Sequence, residues 1–149
     1  LDIDATVEGE SCTPERLFSV LTARGFEPRL TDALEFARAR NVLLLRHAST
    51  ATPVDVSLGY LPFEQDVIAH ASPGAFGAIA IPVPRPTDLV IMKLVAHRPR
   101  DLEDCEHLAR LHVIDFARAR RVLTEFCEVL EDASRLSSLD RLEAGIRRR

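Results

Sequence analysis

Apolar and polar residues alternate over residues 1–7. Leu1, Ile3 and Ala5 point one way and Asp2 and Asp4 the other, which predicts a strand. Thr13-Pro14-Glu15 opens a helix, with Thr as cap, Pro at the first helical position and an acid in the first turn. Leu17, Val20 and Leu21 carry it to about Arg24, and Gly25 stops it. Thr31 or Asp32 caps a short second helix with Leu34, Phe36 and Ala37, although residues 36–40 also alternate as a strand does. Residues 42–48 are the clearest buried strand. After a turn at 49–53, residues 54–58 form its antiparallel partner. Leu61-Pro62-Phe63-Glu64 opens a helix to about Ala69. Pro73 and Gly74 break the pattern, residues 76–82 read as a short edge strand, and Pro82, Pro84 and Pro86 as a stiff extended link.

Beyond Thr87 the period becomes helical. Thr87-Asp88 starts one helix, Asp101 a second and Asp115 a third, whose stripe is Phe116, Ala119, Val122, Leu123, Phe126 and Leu130. A last helix carries Leu136, Leu139, Leu142 and Ile146, and its Arg147-Arg148-Arg149 end suits the negative pole of the helix dipole. Strand signals before Pro84 and helical ones after it predict an α+β fold. In this reading residues 1–84 form a small mixed sheet flanked by helices. Residues 85–149 form a helical bundle packed on that core, not an independent domain.

Composition narrows the function without naming it. With 46% hydrophobic and 28% charged residues, the chain reads as one ordinary globular domain. A net charge of −4 argues against a protein that coats nucleic acid, but leaves room for a local basic groove. No apolar run reaches the ~18 residues of a membrane span, and no signal peptide is visible. Cys12, Cys105 and Cys127 are odd in number and widely spaced. They read as reduced thiols of a cytoplasmic protein, two of them facing the core. The chain opens without Met and already in a strand, so an upstream segment is expected.

The chemistry is carried by acids on strands. Asp is depleted in strands and like charges side by side repel, so Asp2 and Asp4 on one face, with Asp55 on a second alternating strand, need compensation. Residues i and i+2 of a strand are roughly 6.5 Å apart, a spacing that suits metals held ~3.5–4 Å from each other. Oxygen ligands point to Mg²⁺. Three solvated acids on an exposed face are the plain alternative.

Three segments occur in order: Leu1-Asp2-Ile3-Asp4, Pro53-Val54-Asp55-Val56-Ser57-Leu58-Gly59, and Pro86-Thr87-Asp88-Leu89-Val90-Ile91-Met92-Lys93-Leu94 with Arg100-Asp101-Leu102-Glu103-Asp104. Together they resemble the nucleotidyltransferase superfamily of DNA polymerase beta type, and within it the AbiEii-type toxins, up to about Leu111. The resemblance implies two Mg²⁺ ions held by Asp2, Asp4 and Asp55, with Asp55 orienting an acceptor hydroxyl. It implies transfer of a nucleotidyl group from a nucleoside triphosphate to an RNA, for instance tRNA, or to a protein. It also implies a toxin–antitoxin setting with an antitoxin partner. A helical Lys and an Asp-rich turn of the family match Lys93 and Asp101 with Asp104. The family's Gly-Gly or Gly-Ser turn, which cradles the triphosphate, would precede Leu1.

Lys93 leaves an apolar helix at its polar edge and would steady phosphates, or else lay its stem along the core with its head in water. Asp101 reads first as a helix cap, with Asp104 three residues on. Arg38 and Arg40, with Arg46 and His47, could meet a triphosphate or an RNA backbone, and a solvated surface explains them equally well. His97, His107 and His112 have no known zinc-ligand spacing, although Glu103 and His107 share a helical face. Two rivals stand beside the transferase: a catalytically inactive nucleotidyltransferase-like binding protein, and a hydrolase cutting phosphate esters at the same carboxylates.

Overall fold

The structure, a computed structural model, describes residues 2–148. Leu1 and Arg149, part of the expected first strand and of the basic end, lie outside the described residues. Contacts divide the chain into two units, residues 1–69 and 70–149, so the segment 72–83 groups with the helices. The elements are α+β, as expected.

The first unit holds β1 (Ile3–Glu8), α1 (Pro14–Thr22), β2 (Phe26–Pro28), α2 (Ala33–Arg40), β3 (Val42–His47), β4 (Pro53–Gly59) and α3 (Pro62–Ala69). The sheet order is β1-β4-β3-β2, with β1 parallel to β4 and the other pairs antiparallel. Alternation decides the faces. Leu43, Leu45, Val54, Val56 and Leu58 point into one core with Leu17 of α1 and Ala33 and Ala37 of α2. Thr13 caps α1 through its hydroxyl, which accepts from the Arg16 N–H at 3.3 Å. The helix stops at Thr22, two residues before the expected end, and Gly25 follows at φ +85°. Residues 36–40 are helical, not extended, because α2 buries Ala33 and Ala37 on one side. The helix ends at Asn41 in the left-handed conformation, where its N–H closes onto the Ala37 carbonyl at 2.8 Å.

The short strand β2 was not foreseen. Only three residues long and containing Pro28, it lies at a sheet edge where a missing N–H is tolerated.

The second unit holds a hairpin, β5 (Ser72–Phe76) with β6 (Ile79–Val83), and α4 (Pro86–Ala96), α5 (Pro99–Leu111), α6 (Phe116–Leu130) and α7 (Ser134–Arg147). Sequence predicted one edge strand here. Two form, because Gly77 at φ +62° turns the chain tightly. Pro73 and Pro82 are paired partners within the hairpin, and Pro86 is the first residue of α4, so the expected proline link shrinks to Pro84 and Arg85. Val90, Ile91, Leu94, Cys105, Ala119, Leu123, Leu139 and Leu142 are all buried. Cys105 and Cys127 are buried and Cys12 half-buried, all three as free thiols.

The start of α5 corrects a second expectation. Asp101 is not its cap. Pro99 lacks an N–H and suits the first helical position, so Arg98 becomes the cap residue and Asp101 the third helical one. From there the Asp101 carboxylate accepts from the Arg98 backbone N–H at 3.3 Å and from its guanidinium Nε at 2.7 Å.

Candidate active site

The parallel pairing of β1 and β4 sets Asp4 beside Asp55. Parallel partners in register share a face, and neighbouring strands lie ~4.8 Å apart. The two carboxylates therefore leave the same side of the sheet, opposite the core that Val54 and Val56 enter. Asp2 lies one residue before β1 and is exposed.

The row continues across the sheet. Asp55 pairs with Leu44, and the Arg29 N–H extends the β2–β3 ladder by donating to the Leu44 carbonyl at 3.0 Å. The order across the face is thus Arg29, Leu44, Asp55, Asp4. Arg29 reaches over Leu44 and its Nη2 is ion-paired with Asp55 Oδ1. Both side chains stay about one-third exposed, 34% for Arg29 and 35% for Asp55. Sequence reasoning passed over Arg29. Its only signal was a cation directly after Pro28, one step beyond a strand too short to read.

Helix α3 closes one end of this face. A Cβ on Gly59 would come within 3.1 Å of Glu64 Cβ and of Thr6 Cγ2, so glycine lets the helix approach the strands there. Glu64 Oε2 accepts the backbone N–H groups of Tyr60 and Leu61, both at 3.0 Å, and fixes the start of α3. The Asp4–Asp55 level lies four residues before Gly59 on β4.

Two carboxylates in register offer only hard oxygen donors. Mg²⁺ fits such a pair, since it is commonly bound by one or two carboxylates and takes its other ligands from water and substrate phosphates. Among the described residues, no group of three or more His, Cys, Asp or Glu side chains is gathered to hold a metal ion. Asp4 and Asp55 are thus a pair on this face, and Asp2, just ahead of β1, is not gathered with them into a three-carboxylate group.

Lys93 belongs to the second unit, on α4. Its Nζ lies 2.6 Å from Asp104 Oδ2 and 3.7 Å from Asp101 Oδ1, so the structure brings together Lys93, Asp101 and Asp104. The hydrogen bond from Arg98 holds the Asp101 carboxyl below its usual range, and the bond from Lys93 does the same for Asp104. Burial pushes the Cys105 thiol up to about 12, which makes it an inert neutral group.

The residues of the expected basic strip meet different partners. Arg38 Nε meets Glu15 at 2.7 Å, Arg46 Nη2 meets Glu27 at 2.9 Å, and Arg40 is exposed at the end of α2. His47 lies against the Phe26 ring with centroids 5.1 Å apart. His97 Nε2 is 3.0 Å from Ser138 Oγ, while His107 and His112 are exposed.

Asp88 was read only as a helix start. It is fully buried, with Arg85 Nε at 2.6 Å from one oxygen and Arg118 Nη2 at 2.8 Å from the other. The distance of Arg118 along the chain hid this arrangement from sequence reasoning.

Among the described residues, no helix is long and apolar enough to cross a membrane. No curated protein sequence matches the chain. Residues 13–148 match the family described as "Nucleotidyl transferase AbiEii toxin, Type IV TA system". Asp55, Lys93, Asp101 and Asp104 fall inside that stretch, and Asp2 and Asp4 precede it. With most of its length matched, the chain belongs to the AbiEii nucleotidyl transferase toxin family of type IV toxin–antitoxin systems.

Proposed function

We propose that the protein transfers a nucleotidyl group from a nucleoside triphosphate to a hydroxyl of an RNA or a protein, with Mg²⁺ as cofactor. The observation that carries this reading is the register of Asp4 with Asp55 on adjacent parallel strands, on the sheet face away from the core. Asp4 and Asp55 would hold the metal, with Asp2 the further acid that the family resemblance implies, and two ions are expected from the family chemistry. Bound there, Mg²⁺ would neutralise charge on the phosphates and on the leaving pyrophosphate. Asp55 orients the acceptor hydroxyl and takes its proton as the oxygen bonds to the α-phosphorus, while the bond to pyrophosphate breaks. Arg29, already against Asp55, carries a planar fork of donors that matches phosphate oxygens. Lys93, in the second unit, is the phosphate-binding residue that the family resemblance implies, and its Nζ stands against Asp104. An antitoxin would be the physiological partner.

A second reading rests on the Arg29–Asp55 pair, which already satisfies one carboxylate as it stands. In that reading the protein binds a nucleotide and does not turn it over.

The test is transfer of label from α-³²P nucleoside triphosphates to cellular RNA and protein, with and without Mg²⁺, using the full-length protein. Asp4→Asn and Asp55→Asn are expected to lower transfer on the order of 10³-fold, the equivalent of several kcal/mol of metal-assisted stabilisation. Nucleotide binding with no transfer to any acceptor would establish the second reading. Label released without an acceptor would mark a hydrolase.

A further inference from the structure

A cavity of about 440 Å³ opens among α4, α5 and α7 of the second unit. That volume falls in the range of small-molecule sites, roughly 300–1,000 Å³. Leu94, Leu102, Leu142 and Ile146 supply its apolar walls, and Ser138 and Arg141 stand on one side. Cys105, also on the wall, stays an uncharged thiol because burial raises its pKa to about 12.

The charges at this cavity do not cancel. Arg110 Nη2 is paired with Glu106 at 2.9 Å, so those two neutralise each other. Among the described residues Arg141 has no acid partner: its Nη2 donates to the Ser138 hydroxyl oxygen at 3.0 Å. Guanidinium can only donate, so Ser138 Oγ accepts from it and has its own proton to give to His97 Nε2, 3.0 Å away. Ser138 is buried and fixed between the two, which steadies Arg141 at the edge of an apolar hollow. Most donors of the guanidinium fork are left for another acceptor. A planar carboxylate satisfies such a fork with two parallel hydrogen bonds.

We propose that this cavity binds an amphipathic monoanion, a carboxylate with a short aliphatic chain, its head on Arg141 and its tail among Leu94, Leu102, Leu142 and Ile146. Its lining comes from the second unit alone, and the proposal does not depend on nucleotidyl transfer.

Octanoate below its micellar concentration is the probe, with 1-octanol as the uncharged control, both titrated into the full chain by calorimetry. Octanoate is expected to bind at least about tenfold more tightly than octanol, the scale of one charge-assisted contact. Arg141→Met removes that preference and leaves octanol binding unchanged. Gly145→Leu is the second variant. Gly145 lines the cavity, and a Cβ there meets no atom within 4 Å, so the larger side chain enters open space and not a packed core. It is expected to weaken both ligands while the thermal melt stays at least as high as that of the parent, which keeps the test decisive if Arg141→Met fails to fold. No octanoate binding by the parent, equal affinity for octanol, or unchanged binding by Gly145→Leu would overturn the proposal.

Discussion

In the second unit Asp88 is wholly buried between two guanidiniums, whereas in the first unit Asp4 and Asp55 stand side by side at a surface. Lys93, Asp101, Asp104 and Arg98 repeat the first pattern, with cations and anions matched within the cluster. The acids on the sheet are arranged differently: Asp4 and Asp55 are in register on adjacent strands, and Arg29 reaches Asp55. Breaking a matched pair that has been taken out of water leaves an uncompensated charge, which is costly. Like charges held in register at a surface repel each other, and a cation arriving with substrate would relieve that repulsion. The contrast sets acids enclosed by the fold against acids proposed for chemistry, and substitutions at each can break it.

The largest expected effect is at Asp88. Asp88→Ala removes the buried carboxylate that Arg85 and Arg118 both meet, and breaking a buried pair in this way costs about 3–5 kcal/mol. Urea unfolding followed by circular dichroism checks it, and a loss below about 1 kcal/mol would mean that the buried cluster is not what holds α4 to α6.

Asp101 comes next and adds a pH signature. Its carboxyl is hydrogen-bonded by the guanidinium and the backbone of Arg98, and bonds to a charged acceptor are worth about 1.5–3 kcal/mol. Asp101→Ala is therefore expected to lose about 2 kcal/mol at neutral pH. The folded-state pKa lies below the ordinary 3.8, so the unfolded chain takes up the proton first as pH falls. The stabilisation is complete above 3.8 and disappears as pH drops through the folded value. Melts of the two proteins should differ at pH 7 and converge in that acid window. A gap independent of pH would assign the loss to packing and not to charge.

The same contrast explains what the sequence could and could not tell. Local chemistry was readable: Thr13 capping α1, Asp115 capping α6 and the β3–β4 hairpin all depend on neighbours a few residues away. The face shared by Asp4 and Asp55 followed from alternation once the strands were known to be neighbours. Arg29 and Arg118 were invisible because their partners are 26 and 30 residues distant along the chain. The cap of α5 was misassigned because Asp101 is as good a cap by type as by its actual use, and only Pro99 distinguishes the two. The second hairpin strand was missed because Pro73 and Gly74 usually break a ladder. Here Pro73 faces another proline, at a paired position in a two-stranded sheet.

A smaller effect, of opposite sign, is expected at Gly145. It lies inside α7, where glycine costs roughly 0.5–1 kcal/mol relative to alanine, and nothing approaches an added Cβ. Gly145→Ala should raise the thermal midpoint by a few degrees at most. A lower midpoint would show that the cavity wall does not tolerate even a methyl group.

The smallest effect on stability is expected where the largest effect on chemistry is proposed. Asp4 is exposed, so its interactions within the fold are screened by water, and surface contacts of a carboxylate are worth about 0–1 kcal/mol. Replacing it by asparagine keeps the shape of the side chain and removes one of two like charges held in register with Asp55. Relief of that repulsion offsets whatever contact is lost, so Asp4→Asn should change unfolding free energy by no more than about 0.5 kcal/mol in either direction. Paired with the loss of label transfer, a neutral melt would make Asp4 a residue maintained for reaction and not for folding. A destabilisation comparable to that of Asp88→Ala would erase the distinction between the two units, because the sheet acids would then be structural as well.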